Sequence, residues 1–238
     1  SVEVPGAPTA STLQAPVVFL YGQSVEVVKI RPSTGQSSGG TPVTVIGRHF
    51  VDSNKLGCRF GERRRIVGQL MSSSMMVCES PQISSDSEVS VEVTNNGVDY
   101  SSDERVFTYQ AAARVERFEP SAGAASSEHV VTVYGSNFAR SSTLSCFGKS
   151  DTLYPAKWLS SKSLVCTMPA SSFVGNMTIE VSNNGVDVSN QGVQFVLLPD
   201  MHVLSVEPAS VIEWGGETVT VTGLGFPSSS PTLNCVFG

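Results

Sequence analysis

Valine alternates with polar residues along most of this chain. Val43 and Val45 flank Thr44, and Val89, Val91 and Val93 enclose Ser90 and Glu92. Val-Val-Thr-Val-Tyr-Gly fills 130–135, and Val219 and Val221 flank Thr220. A period of two places one set of side chains on a buried face and the other toward water, the pattern of half-buried β-strands. The runs are short and end at proline, at glycine or at Asn-Gly, and nowhere does a helical period appear. Strands are predicted at 27–30, 42–46, 56–60, 65–70, 75–78, 89–93 and 106–109. A second set follows at 115–118, 130–134, 144–147, around Trp158, and at 164–166, 177–181 and 194–197. About seven short strands per unit, with turn signals between them, predict an all-β fold of immunoglobulin-like β-sandwiches. Asn96-Gly97 and Asn184-Gly185 read as hairpin turns, since both residue types tolerate positive φ.

The two sets are copies. Pro32, Pro120 and Pro208 stand 88 residues apart, as do Gly47, Gly135 and Gly223. A steady period carried by several residue types predicts tandem domains. The expected division is 1–26 as the closing strands of a repeat whose front lies upstream, 27–110 and 111–199 as complete domains, and 200–238 as the front of a third. Only Ala111, Ala112, Ala113 and Arg114 separate the complete units, so neighbouring sandwiches are expected to be joined by short linkers into a rod.

Cysteine adds a covalent expectation. Cys58 and Cys78 are 20 residues apart, and so are Cys146 and Cys166. On facing strands each pair predicts a bridge within its own domain, with Cys235 left for a partner near position 255, beyond the visible end. Buried free thiols are the alternative. Asn176-Met177-Thr178 is an acceptor sequon for N-glycosylation, and with the paired cysteines it points to the secretory route. His49, His129 and His202 are scattered and no Cys-x2-Cys pair occurs, so no metal and no cofactor are expected.

The formal net charge is -6, with Lys and Arg numbering 15. That balance argues against a phosphate-backbone binder, hence no nucleic acid partner. Arg63, Arg64 and Arg65 form the one dense positive cluster, read as a solvated turn or edge strand or as a local contact for an anionic group or glycan. No apolar run reaches the roughly 18 to 20 residues that cross a bilayer. Asp99 and Asp187 follow the two Asn-Gly turns at matching positions, which suits a structural or solvent-facing role better than a single acid/base site.

The motifs together resemble a known family. Pro32 with Gly39-Gly40, and Pro208 with Gly215-Gly216, open the units. Next come Gly47-Arg48-His49-Phe50, Gly135-Ser136-Asn137-Phe138 and Gly223-Leu224-Gly225-Phe226. Cys58-Arg59-Phe60-Gly61, Cys146-Phe147-Gly148 and Cys235-Val236-Phe237-Gly238 follow them. Prolines 81 and 169 come shortly after the second cysteines, and Asn-Asn-Gly closes each copy. In combination these are similar to the IPT/TIG domains, the immunoglobulin-like, plexin and transcription factor type. Ser127-Glu128 departs from the Gly-Gly pattern, so a different course is expected for that loop. The resemblance implies sandwich units used in surface receptors, in large extracellular proteins and in intracellular DNA-binding factors; the paired cysteines and acidic charge suit the extracellular branch.

The leading expectation is a non-enzymatic structural segment of an extracellular or cell-surface protein, a semi-rigid spacer with self-assembly contacts. Its partners would be further copies or other components of an extracellular assembly, such as a filament. The alternative is a receptor or adhesion ectodomain that binds a protein or glycan through its loops.

Overall fold

The computed structural model describes residues 22–148, 152–226 and 233–237, all β-strand, turn or irregular segment with no helix among them. Residues 1–21 lie outside this description, and with them most of the expected upstream repeat. In the first repeat the strands are β1 (Glu26–Arg31), β2 (Thr34–Gln36), β3 (Pro42–Arg48), β4 (Gly57–Phe60), β5 (Ile66–Val67), β6 (Gln69–Ser72), β7 (Met75–Glu79), β8 (Glu88–Thr94) and β9 (Arg105–Gln110). They form two sheets, ordered β1-β3-β7-β6 and β2-β9-β8-β4-β5. The valine alternation explains which face turns inward: Val43 and Val45 of β3 and Val91 and Val93 of β8 are fully buried. Between the sheets lie Phe50, Leu56, Phe60, Met76 and Phe107. Cys58 of β4 and Cys78 of β7 join them through a disulfide, with Cα atoms 6.2 Å apart.

The second repeat follows the same order: β10 (Arg114–Glu119), β11 (Ala122–Ala124), β12 (His129–Ser136), β13 (Ser145–Phe147), β14 (Leu153–Ser160), β15 (Ser163–Met168), β16 (Gly175–Thr178), β17 (Glu180–Ser182) and β18 (Gln194–Leu198). Its core contains Val131, Val133, Leu164, Ile179 and Phe195 around the Cys146–Cys166 disulfide. The third unit contributes one antiparallel hairpin, β19 (His202–Glu207) with β20 (Thr220–Leu224). Its Val203 and Leu204 are more than half exposed, consistent with a front sheet that has no opposing sheet among the described residues.

Among the described residues each complete repeat has nine strands where the hydrophobic pattern suggests about seven. The Ser/Gly-rich loop at 33–40 contains β2, which runs parallel to β9 through Thr34, Gly35 and Gln36, a pairing that leaves no alternation to detect. The expected strand at 65–70 is divided at Gly68. A Cβ there would lie 2.1 Å from Met76 Cε and 3.2 Å from the Cys78 sulfur, so the backbone closes against the disulfide as the chain passes from one sheet to the other. Ala156 occupies this place in the second repeat, and β14 stays continuous: Leu153, Tyr154 and Pro155 pair with β13, while Ala156, Lys157 and Trp158 pair with β15. The strand at 177–181 is likewise divided, around Ile179.

The Gly-x-x-Phe motif has a steric cause common to all three units. A Cβ on Gly47, Gly135 or Gly223 would lie about 2 Å from the carbonyl oxygen of Glu26, Arg114 or His202, beside the irregular pairing of the first strand. The ring of Phe50, Phe138 or Phe226 covers the same glycine. The residue before each phenylalanine is left-handed, with φ of 62° at His49, 62° at Asn137 and 76° at Gly225. The loop with Ser127-Glu128 keeps the turn bond of its counterpart, Ser127 N to Ala124 O at 3.2 Å against Gly39 N to Gln36 O at 3.0 Å. Gly39 and Gly40 reach it with φ of 76° and 82°, values that Ser127 and Glu128 do not share.

Tyr109 is the one buried polar side chain among the described residues whose oxygen makes no hydrogen bond. Burial pushes its phenol up to about 12, with the Arg63 guanidinium pulling the other way. Below the ordinary value near 10, both folded and unfolded chains keep this proton, so Tyr109 adds no pH dependence there. Above it the unfolded chain releases the proton first, and stability falls as pH rises toward 12. Tyr109→Phe is therefore expected to flatten the alkaline limb of the first repeat's stability curve, read by denaturant titration between pH 9 and 12; an unchanged limb would contradict this.

Candidate functional site: the junction of the two complete repeats

The Asn-Asn-Gly segments build the same small structure twice. At the end of β8, Thr94 Oγ1 accepts from Gly97 N at 2.9 Å, and Asn96 Oδ1 accepts from Val98 N and Asp99 N, both at 2.9 Å. After β17, Ser182 Oγ accepts from Gly185 N at 2.9 Å, and Asn184 Oδ1 accepts from Val186 N and Asp187 N at 3.0 and 2.8 Å. Gly97 and Gly185 take φ of 77° and 78°, the left-handed geometry open to glycine at little cost. The side-chain amide then donates to the aspartate, Asn96 to Asp99 and Asn184 to Asp187, at 2.8 Å each. These are asparagine-anchored loops rather than two-residue hairpin turns: the chain doubles back only where Ser101 bonds Val93 and Ser189 bonds Val181.

The surroundings of the two loops differ. Asn96 and Asp99 are exposed. Asn184 is buried, because Asp187 and Asn184 meet the first repeat. Asp187 Oδ2 accepts from Thr41 Oγ1 at 2.7 Å and from Gln36 N at 3.3 Å. Asn184 Nδ2 donates to the Thr34 carbonyl at 2.8 Å. Hydrogen bonds to an ionised carboxylate are about twice as strong as neutral ones, and a fully buried Thr41 hydroxyl would be costly to leave unpaired. The linker is tied down as well: Asn137 Nδ2 donates to Ala112 O at 2.9 Å, and just after it Val115 N of β10 donates to Gln191 Oε1 at 2.8 Å. At the next junction, Ser126 Oγ donates to Asp200 Oδ1 at 2.5 Å.

The other sequence-marked residues lie apart from this contact. Asn176 is exposed on β16, at the edge of the β11-β18-β16 sheet, with Thr178 also exposed. Cys235 is an exposed free thiol. Arg63, Arg64 and Arg65 lie in the turn from β4 to β5. Met76 is packed in the core, whereas Met71 and Met75 are largely exposed. Phe60, Phe107, Phe118 and Phe195 are buried, and Phe147 is half-buried.

A feature that sequence reasoning missed is a cleft of about 240 Å³ in the second repeat, walled by Tyr154, Met168, Phe173, Met177 and Leu197, with His129 at one side. His129 occupies the place that Thr41 holds in the first repeat, and its Nε2 lies 2.6 Å from the Ala124 carbonyl. One imidazole engaged with a backbone carbonyl makes no catalytic constellation. Among the described residues no group of three or more His, Cys, Asp or Glu side chains is placed to hold a metal ion, and no helix is long and apolar enough to cross a membrane.

Comparison with known proteins agrees with the architecture. The IPT/TIG domain family matches residues 26–109 and again 113–197. Plexin-A3 of Mus musculus is 26% identical over 205 residues, which is 83% of this chain and 11% of that protein. The solved extracellular region of Plexin A4, domains 1 to 10, superposes with a TM-score of 0.52 at 16% identity, covering 83% of this chain and 19% of that one. The chain thus spans a small part of each relative's length. Two successive matches to one family, each containing a two-sheet unit around its own disulfide, give the assignment: this chain belongs to the IPT/TIG domain family, of which it carries two tandem copies.

Proposed function

We propose that this chain is a non-enzymatic segment of a large extracellular or cell-surface protein, in which its repeats act as a semi-rigid spacer. The observation that carries the reading is the direct bonding of Asp187 and Asn184 to Thr41, Gln36 and Thr34 across a short linker. A freely swinging tether would have no use for a carboxylate matched to a buried hydroxyl. The likeness to an extracellular plexin region and the two disulfides support a secreted location. Partners in this reading are proteins, either further copies or other components of an extracellular assembly. The expected test is a pair of spin labels, one on each repeat. The native chain gives a narrow distance distribution, and Asp187→Ala broadens it, whereas Asp99→Ala, altering the same loop in its exposed copy, does not. A broad distribution in the native chain would sink the spacer.

A second reading, a receptor or adhesion ectodomain that binds a protein or glycan through its loops, is supported by the likeness to Plexin-A3. In either case Asn176 is accessible to the glycosylation machinery. Expression through a eukaryotic secretory pathway is expected to add a glycan that Asn176→Gln and Thr178→Ala both abolish, seen as one step in mass; an unmodified secreted chain would remove this site.

A further inference from the structure

We propose that the turn between β4 and β5 of the first repeat is a docking site for a sulfated polysaccharide. Lys55, Arg59, Arg63, Arg64 and Arg65 fall within eleven residues, five of the chain's 15 Lys and Arg, and Glu62 is the only carboxylate among them. The corresponding stretch of the second repeat, 143–153, contains one lysine and one aspartate. Both stretches belong to units of the same fold, each with a buried core and disulfide, so the fold itself does not require the cations. A concentration of charge that one copy has and its sister lacks calls for a cause outside packing.

The side chains divide into supports and free ends. Arg59 is spent internally: it pairs with Glu92 at 2.5 Å and lies over the Tyr100 ring, 4.0 Å from its centroid. Arg65 is fixed by its bond to the Leu56 carbonyl at 3.0 Å, and its Nε and the Lys55 Cδ both lie within 4 Å of the space beside Gly97, which brings the two cations to one patch. Arg63 and Arg64 are exposed. None of Lys55, Arg63, Arg64 and Arg65 is in an ion pair among the described residues. Three consecutive residues span at most about 7 Å of chain. The turn therefore offers several guanidinium forks within the reach of neighbouring anionic groups on one polymer.

Guanidinium planes match the oxygens of a sulfate in pairs, and their weak hydration lowers the cost of contact. A single-stranded nucleic acid fits less well, because it needs open aromatic faces for its bases, and the face of Tyr100 is covered by Arg59. The chain's net charge of -6 confines attraction for any polyanion to this short-range patch. The choice of a sulfated glycan over other polyanions rests on the extracellular reading above; the presence of an anion site does not.

The test is binding of the whole chain to an immobilised heparin decasaccharide, beside a single-stranded DNA decamer and an oligoglutamate peptide. The native chain is expected to bind heparin best, and more weakly as salt rises. Arg63→Ser with Arg64→Ser is expected to weaken binding by about tenfold or more. Arg63→Lys with Arg64→Lys should lose less than the serine pair, because the charge stays while the paired N–H geometry is gone. Lys157→Ser with Lys162→Ser, which removes the same charge from the second repeat, should change it by less than about twofold. Circular dichroism confirms that each variant is folded. Absence of heparin binding at low salt, or equal weakening by the serine pairs in both repeats, would overturn the site. Equal or better binding of DNA or oligoglutamate would overturn the glycan assignment. None of these outcomes bears on the distance distribution between repeats, so the spacer and the site fail separately.

Discussion

Cys146→Ala combined with Cys166→Ala is expected to destabilise the second repeat by about 3 kcal/mol, within a range of about 2–5 kcal/mol for small domains that lose a native bridge. The bridge closes a separation of 20 residues and ties β13 to β15 across β14, which pairs with both, at the centre of the buried cluster. Each repeat has its own buried cluster, so hydrogen-exchange protection should drop throughout 114–198 and persist in β3, β7 and β8. Within the first repeat only the 34–41 segment should respond, because it shares bonds with Asn184 and Asp187. Equal loss of protection in both repeats would mean that they unfold as one unit.

Phe107→Ala is the second large expected effect, about 3–5 kcal/mol off the first repeat. The ring is fully buried and meets Phe60 and Tyr109 edge to face, at centroid distances of 5.4 and 4.9 Å. Gly35 of β2 packs against the same ring, where a Cβ would stand 2.5 Å from it. Removing the ring thus opens a cavity and loosens the seat of β2, the strand that leads to the junction. Denaturant unfolding of the native and Ala chains measures the loss; a change below about 1 kcal/mol would show that the core collapses into the space.

The sandwich was legible because its signals are local. Alternating valines, Gly-x-x-Phe and paired cysteines each report on a strand or its immediate partner. The short parallel strands β2 and β11 were not legible, since parallel pairing to a distant strand leaves no local periodicity. The break at Gly68 was hidden for a similar reason: it reflects the close approach of Met76 and Cys78 of β7 where the chain changes sheets. At the candidate site, the repetition of Asp99 and Asp187 marked the right loops. The sequence could not show that Asp187 reaches the neighbouring repeat, because that depends on the placement of Thr41 and Gln36, about 150 residues before it. His129 was equally opaque, one histidine among scattered others until the fold set it beside the cleft.

The junction also makes the order of the units matter. The first repeat receives its neighbour through Thr41, whereas the second has His129 in that place, with its ring nitrogen turned to Ala124, and its Ser126 bonds Asp200. Plug and socket are therefore matched joint by joint. Transposing the two repeats would preserve each sandwich yet leave the joints mispaired, so the linear succession of domains is itself encoded information, written in a handful of polar side chains at the seams.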